Sequence, residues 1–341
     1  LAKTKAKEGS PADAQNIYRD ILYKFPQNKR ALDGIKALRV GSIKRASNAQ
    51  EPPRDQLHAL IGLHAQGHFQ QALKQAKTLD QQFPMSADLC NIKGAIFKAL
   101  KKFDLSVKYY KKALAIRPDY ADTFNNIGNV FEAQGKLEKA VEAYSNALAL
   151  KPDFSDSYYN LAIVLKKQSK FDESIEAYIK CLEISPHNVN ALYNLGNTFQ
   201  EQGRLDEAIE SYNKALAIKP DFHDVYNNMG NALKKLGKVE MALESYHKEL
   251  AINVDSQQAW CNIGDLLHDQ GRMQEAVESY KKALKIHPDS FELYYNMGIA
   301  LKKQGKLEQE AEAYNMAIAI KPDYAMAHHN LSFALLNSGR L

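Results

Sequence analysis

The sequence predicts an all-α solenoid of stacked helix pairs, because three residue types keep one clock along it. Prolines stand at Pro84, Pro118, Pro152, Pro186, Pro220, Pro288 and Pro322, every gap being 34 residues, or 68 where Val254 takes the missing slot. Tyrosines keep the same interval at Tyr110, Tyr144, Tyr178, Tyr212, Tyr246, Tyr280 and Tyr314. So do small residues at Gly94, Gly128, Ala162, Gly196, Gly230, Gly264 and Gly298. A fixed period of this size marks a repeat architecture, in which each unit covers the apolar face of the next.

The unit 121–154 resolves into two helices. Phe124, Ile127, Gly128 and Phe131 follow the i, i+3, i+4, i+7 spacing of one apolar helical stripe, helix A. Gly135 ends it. Leu137, Ala140, Tyr144 and Ala147 mark a second helix, B, which Pro152 stops. Gly128 and Ala140 let the pair approach closely, and Phe124 and Tyr144 fill the space around them. Full units run 53–86, 87–120, 121–154, 155–188, 189–222, 223–256, 257–290 and 291–324, and 325–341 supply one more helix A. Towards the start, Gly9, Ala14, Tyr18 and Pro26 fit the second half of a unit, and 29–40 reads as a further helix A. The 58 residues from Pro26 to Pro84 exceed one period by 24, and the excess lies around the Ser-, Asn- and Pro-containing stretch 41–53. The expected organisation is therefore a partial repeat and extra helix at 1–40, a linker at 41–53, and a solenoid of eight repeats plus a final helix A at 54–341. Both ends stop within a repeat, which predicts a fragment of a longer protein.

Two units break the local rule. Glu310 stands where others have Ala140 or Ala276, and Glu249 replaces the small residue seen at Ala215 and Ala283. A buried unpaired carboxylate is costly, so Glu310 is expected to reach solvent or to displace its helix.

Composition excludes several functions. Hydrophobic residues at 45% and charged residues at 25% fit a folded soluble chain. The net charge of +5 comes from interleaved signs, so no nucleic-acid-binding field is expected. No apolar run approaches the roughly 18–20 residues of a membrane span, and the start LAKTKAKEGS has no secretory h-region. Cys90, Cys181 and Cys261 are odd in number and far apart, which favours buried thiols in a reducing, cytoplasmic setting over disulfides or a metal site. No phosphate loop, HExxH or paired-Cys motif occurs. The pairs His64 with His68 and His328 with His329 lack a third ligand and read as solvated or packing residues. No metal, cofactor or catalytic constellation is expected in this chain, so it reads as a non-enzyme.

The face of helix A away from its core stripe carries a pattern of its own. The residue before the second core position points about 200 degrees from the stripe, and in seven successive units it is Asn: Asn126, Asn160, Asn194, Asn228, Asn262, Asn296 and Asn330. Asn129, Asn197, Asn231 and Asp265 lie three residues on. Asn amides offer donors and an acceptor together, as a peptide bond does. They suit an extended backbone as ligand, or hydrogen bonds between repeats; ligand contact is the favoured reading. Lys167, Lys235 and Lys303 recur at twice the period on that face. They either stripe the surface for a ligand of mixed charge or pair with neighbours, Lys235 with Glu201 or Asp269.

In its proline, tyrosine and glycine spacing the chain resembles tetratricopeptide-repeat proteins over nearly its whole length. That resemblance implies a right-handed α-solenoid whose helices A line a concave groove. The repeat consensus and Asn row are similar to the repeat region of O-linked N-acetylglucosamine transferases, and such repeats also precede transferase domains in bacterial multidomain proteins. The implied function is a protein- or peptide-binding scaffold, the recruiting arm of a larger transferase. Self-association through the solenoid ends is the alternative. The basic clamp of chaperone-binding members is missing, since Asp122, Asp156, Asp224 and Glu292 stand at its places. Ordering the roughly three ligand residues per rung costs on the order of 3–6 kcal/mol, against about 1–3 kcal/mol returned by one Asn. Side-chain pockets must supply the remainder.

Overall fold

A computed structural model describes residues 51–337 and, before them, Ala14, Ile17, Tyr18, Ile21, Arg30, Ala31, Asp33 and Gly34. The expected linker up to residue 50, and most of the expected partial repeat before it, lie outside the described residues. Among the described residues there are seventeen α-helices and no strand. They are α1 (Arg54–Ala65), α2 (Phe69–Gln82), α3 (Ala87–Ala99), α4 (Phe103–Ile116), α5 (Ala121–Ala133), α6 (Leu137–Leu150), α7 (Ser155–Lys167) and α8 (Phe171–Ile184). There follow α9 (Val189–Glu201), α10 (Leu205–Ile218), α11 (His223–Lys235), α12 (Val239–Ile252), α13 (Gln257–Asp269), α14 (Met273–Ile286), α15 (Phe291–Lys303), α16 (Leu307–Ile320) and α17 (Ala325–Asn337). Odd-numbered helices are helices A and even-numbered ones helices B. The chain forms two compact units, Leu1–Pro186 and His187–Leu341. Within each, a helix A packs on the following helix B, and that helix B on the next helix A. This is the all-α helical-repeat fold.

Local chemistry explains the regularity. Helix α5 ends in a Schellman motif: Lys136 N–H bonds to Phe131 C=O at 2.8 Å and Gly135 N–H to Glu132 C=O at 2.9 Å. Gly135 takes φ +70° there, a conformation that costs glycine little. Helix α6 ends where Lys151, ahead of Pro152, is pushed to extended backbone at φ −133°.

Packing within a pair rests on a tyrosine laid over a glycine. Tyr144 is 0% exposed, and a Cβ on Gly128 would sit 2.4 Å from its ring. The N-terminal positions repeat the device, since Tyr18 packs with Ala31 and a Cβ on Gly34 would meet its ring at 2.3 Å. At the helix crossing, Ser106 donates to the Gly94 carbonyl at 2.7 Å and Ser174 to the Ala162 carbonyl at 2.8 Å. Ala140, Ala208, Ala242 and Ala276 hold the same place in other pairs and are 0% exposed.

Glu310 occupies that crossing in α16 and corrects the sequence expectation. It does not reach solvent, and α16 runs unbroken past it: it is 1% exposed, and among the described residues both carboxylate oxygens are buried without a hydrogen-bond partner. Burial raises its pKa, a shift that Lys302 opposes. Glu249 is also buried, but the Ser256 hydroxyl donates to it at 2.5 Å while capping α13 through Ala259 N–H at 3.2 Å.

Candidate peptide-binding face

In the first unit, the Asn row of the helices A bridges neighbours. Asn126 donates its amide to Asn91 Oδ1 at 3.2 Å, and Asn160 donates to Asn125 Oδ1 at 3.1 Å. Thr123 and Ser157 add bonds to the same two acceptors at 3.1 and 3.0 Å. The second unit repeats this. Asn228 donates to Tyr193 Oη at 3.0 Å and to Asn197 Oδ1 at 2.8 Å, Asn262 to Asn227 Oδ1 at 3.0 Å, and Asn330 to Tyr295 Oη at 3.2 Å. Asn194 is engaged as well. All seven are half-buried.

The spacing of these bonds has a geometric reason. One bond from each of these five rungs runs to the residue 35 positions earlier, one repeat plus one residue. A helix A in a stack meets the previous helix A along one flank, and the rung projects onto that flank. Residues at the acceptor place, Asn91, Asn125, Tyr193, Asn227 and Tyr295, therefore belong to the row, although a single-helix wheel gives them no role. Their signal was present as an Asn or Tyr recurring at that place from Asn91 onward, with Cys261 and His329 as the exceptions.

The second set of amides faces inward on one side. Tyr144 donates to Asn129 at 2.8 Å, Tyr212 to Asn197 at 2.7 Å, and Tyr246 to Asn231 at 2.8 Å. Tyr280 makes the same bond to Asp265 at 2.8 Å. These bonds give the buried phenols acceptors and fix the side chains. Desolvation raises the pKa of each of these tyrosines.

Lys167, Lys235 and Lys303 are exposed. Lys167 reaches Glu132 at 2.8 Å, and it is Lys234, not Lys235, that reaches Asp269, at 3.3 Å. These pairs also span 35 residues, the step of the amide bonds, and such exposed pairs add little stability. Of the cysteines, Cys90 and Cys181 are buried and Cys261 is half-buried. Among the described residues, no helix is long and apolar enough to cross a membrane.

Family profiles for the tetratricopeptide repeat match residues 94–135, 130–169 and 264–305, with further matches at 153–221, 211–244 and 291–324. Together they span more than half of the chain. No curated protein matches it. Among solved structures, it is similar to a tetratricopeptide-repeat protein from Parabacteroides merdae at 17% identity and a TM-score of 0.53, covering 73% of this chain and 98% of that one. It is similar to Pseudomonas aeruginosa pilF at 20% identity and a TM-score of 0.51, covering 62% and 96%. A third similar structure is YrrB, described as a TPR protein with an unusual peptide-binding site, at 25% identity and a TM-score of 0.47, covering 55% and 97%. With these matches on the same repeats that the tyrosines, glycines and prolines delimit, the chain belongs to the tetratricopeptide-repeat family.

Proposed function

We propose that the chain is a protein-interaction scaffold that holds an extended peptide against the helix A faces of its units. The observation that supports this is the row of half-buried amides on those faces, fixed by hydrogen bonds so that little side-chain entropy is lost on binding. Most rungs spend their NH₂ groups between repeats and keep a carbonyl to meet a ligand N–H. The resemblance of the row to transferase repeat regions extends the proposal: the chain acts as the recruiting arm of a larger protein. Selection of a displayed library of unstructured peptides on the whole chain tests it. Enriched clones whose binding weakens in Asn126→Ala or Asn296→Ala, at unchanged helicity, are expected. No enrichment above an unrelated helical-repeat chain would overturn the proposal.

A second reading, self-association through an end, is supported by α17, where Met326, Phe333 and Leu336 are exposed. It predicts a mass in light scattering that rises with concentration and falls back in Phe333→Ser.

A further inference from the structure

The rung at Asn296 differs from its neighbours. The residue 35 positions earlier is Cys261, where the other rungs find Asn or Tyr oxygens. Burial, and to a lesser degree Asp265, push the Cys261 thiol up to about 11, so it stays protonated and is a weak acceptor. Among the described residues Asn296 has no hydrogen-bond partner, and its polar atoms are not sealed from solvent. Here both halves of the amide are free.

Asn296 lines a cleft of about 290 Å³ within the second unit, together with Lys234, Asp265, His268, Asp269 and Ile299. That is at the low end of the roughly 300–1,000 Å³ of small-molecule sites, room for one long side chain. Its charge leans negative, with two carboxylates against one lysine. Asp265 gives one oxygen to Tyr280, and its second oxygen has no partner among the described residues. Asp269 is shared by Lys234 at 3.3 Å and His268 at 3.7 Å, and its side chain is 58% exposed, so that contact yields readily to a better cation. Ile299, where other repeats place Asn129, Asn197 or Asn231, supplies an apolar wall for a methylene stem.

We infer that this cleft is a subsite for an arginine or lysine side chain of an extended peptide whose backbone amide pairs with Asn296. The subsite rests on the peptide-binding reading and names the residue that the ligand must carry. Guanidinium suits it best, because a planar fork bonds a carboxylate through two parallel N–H groups.

The probes are the blocked peptide Ac-Ala-Ser-Arg-Ala-Ala-NH₂ and its citrulline twin, which keeps the shape and loses the charge. Each is titrated into the isotope-labelled full chain while the Asn296 side-chain amide and the Asp265 and His268 backbone amides are followed by NMR. The arginine peptide is expected to bind about ten-fold more tightly than citrulline, the difference between a charged and a neutral hydrogen bond. Asp265→Asn should erase that margin; its folding is secured by precedent, since Asn197 and Asn231 accept the same tyrosine bond. Cys261→Asn restores the missing acceptor, so it should occupy the Asn296 amide and weaken both peptides without touching the carboxylates. Equal affinity for the two peptides, or indifference to Asp265→Asn, would overturn the subsite while leaving the scaffold reading intact. If library selection yields no peptide at all, both fall.

Discussion

At the scale of single residues, the informative positions are those where a repeat departs from its siblings. Cys261 is one, since it turns a structural rung into an open amide. Glu310 is another. Its siblings show that Ala or Ser fits the crossing, so the carboxylate is added to a site that does not need it. Tyr314, one turn on, is also buried, and among the described residues its hydroxyl has no partner, because Ile299 stands where Asn129 or Asp265 would accept. Desolvating polar atoms without partners costs on the order of 1–3 kcal/mol each. Glu310→Ala is therefore expected to raise the stability of the second unit by about that amount in urea titration at neutral pH. Glu310→Gln, which keeps the volume and removes the charge, should recover part of the gain well above the ordinary carboxyl range and little of it within that range. A destabilised Glu310→Ala chain would show that the carboxylate has an attractive partner.

At the scale of the element, helix spans were readable because the period placed Gly135 and Pro152 at the ends of a pair. Tyr144 on Gly128 was half-readable: the residues were visible, but the contact of a would-be Cβ with the ring is a property of two packed helices. The orientation of the Asn row was not readable from one helix. A wheel has one core and one solvent side, whereas a stacked helix A also meets the helices A before and after it, so a residue 200 degrees from the core stripe still meets the previous repeat. The same extra residue of advance explains why Lys234 and not Lys235 finds Asp269. Two element-scale predictions follow from the backbone. Lys101 and Ser169 hold the left-handed turn at φ 57° and 60° where six other turns use glycine. Ser169→Gly should stabilise the α7–α8 pair by about 1 kcal/mol, read as a higher melting temperature. Gly230→Ala should do the reverse, by roughly 1–3 kcal/mol, since its Cβ would lie 2.5 Å from the Tyr246 ring. Ala162 shows that a repeat can carry the extra methyl, so the expected cost is a repacked tyrosine and not an unfolded chain.

At the scale of the whole molecule, the stability of a repeat stack is a sum of local terms, so a flaw is felt by its neighbours first. The buried carboxyls with raised pKa among the described residues, Glu249 and Glu310, both lie in the second unit. For Glu249 burial dominates, opposed by the Ser256 hydroxyl. A carboxyl whose pKa is higher folded than unfolded binds its proton more tightly in the fold. Its cost to stability is absent below the ordinary carboxyl range and grows as pH rises through the raised folded value. Glu207, Glu244 and Glu275 shift the other way beside Arg204, Lys248 and Arg272, but they are exposed, and such pairs are weak. Amide exchange protection in α12–α17 is therefore expected to fall as pH rises above the ordinary carboxyl range, while protection in α1–α8 holds. The double variant Glu249→Ala, Glu310→Ala should remove the difference. Equal pH dependence in both units, or its persistence in the double variant, would place the titrating groups elsewhere and leave the two buried carboxylates without an energetic role.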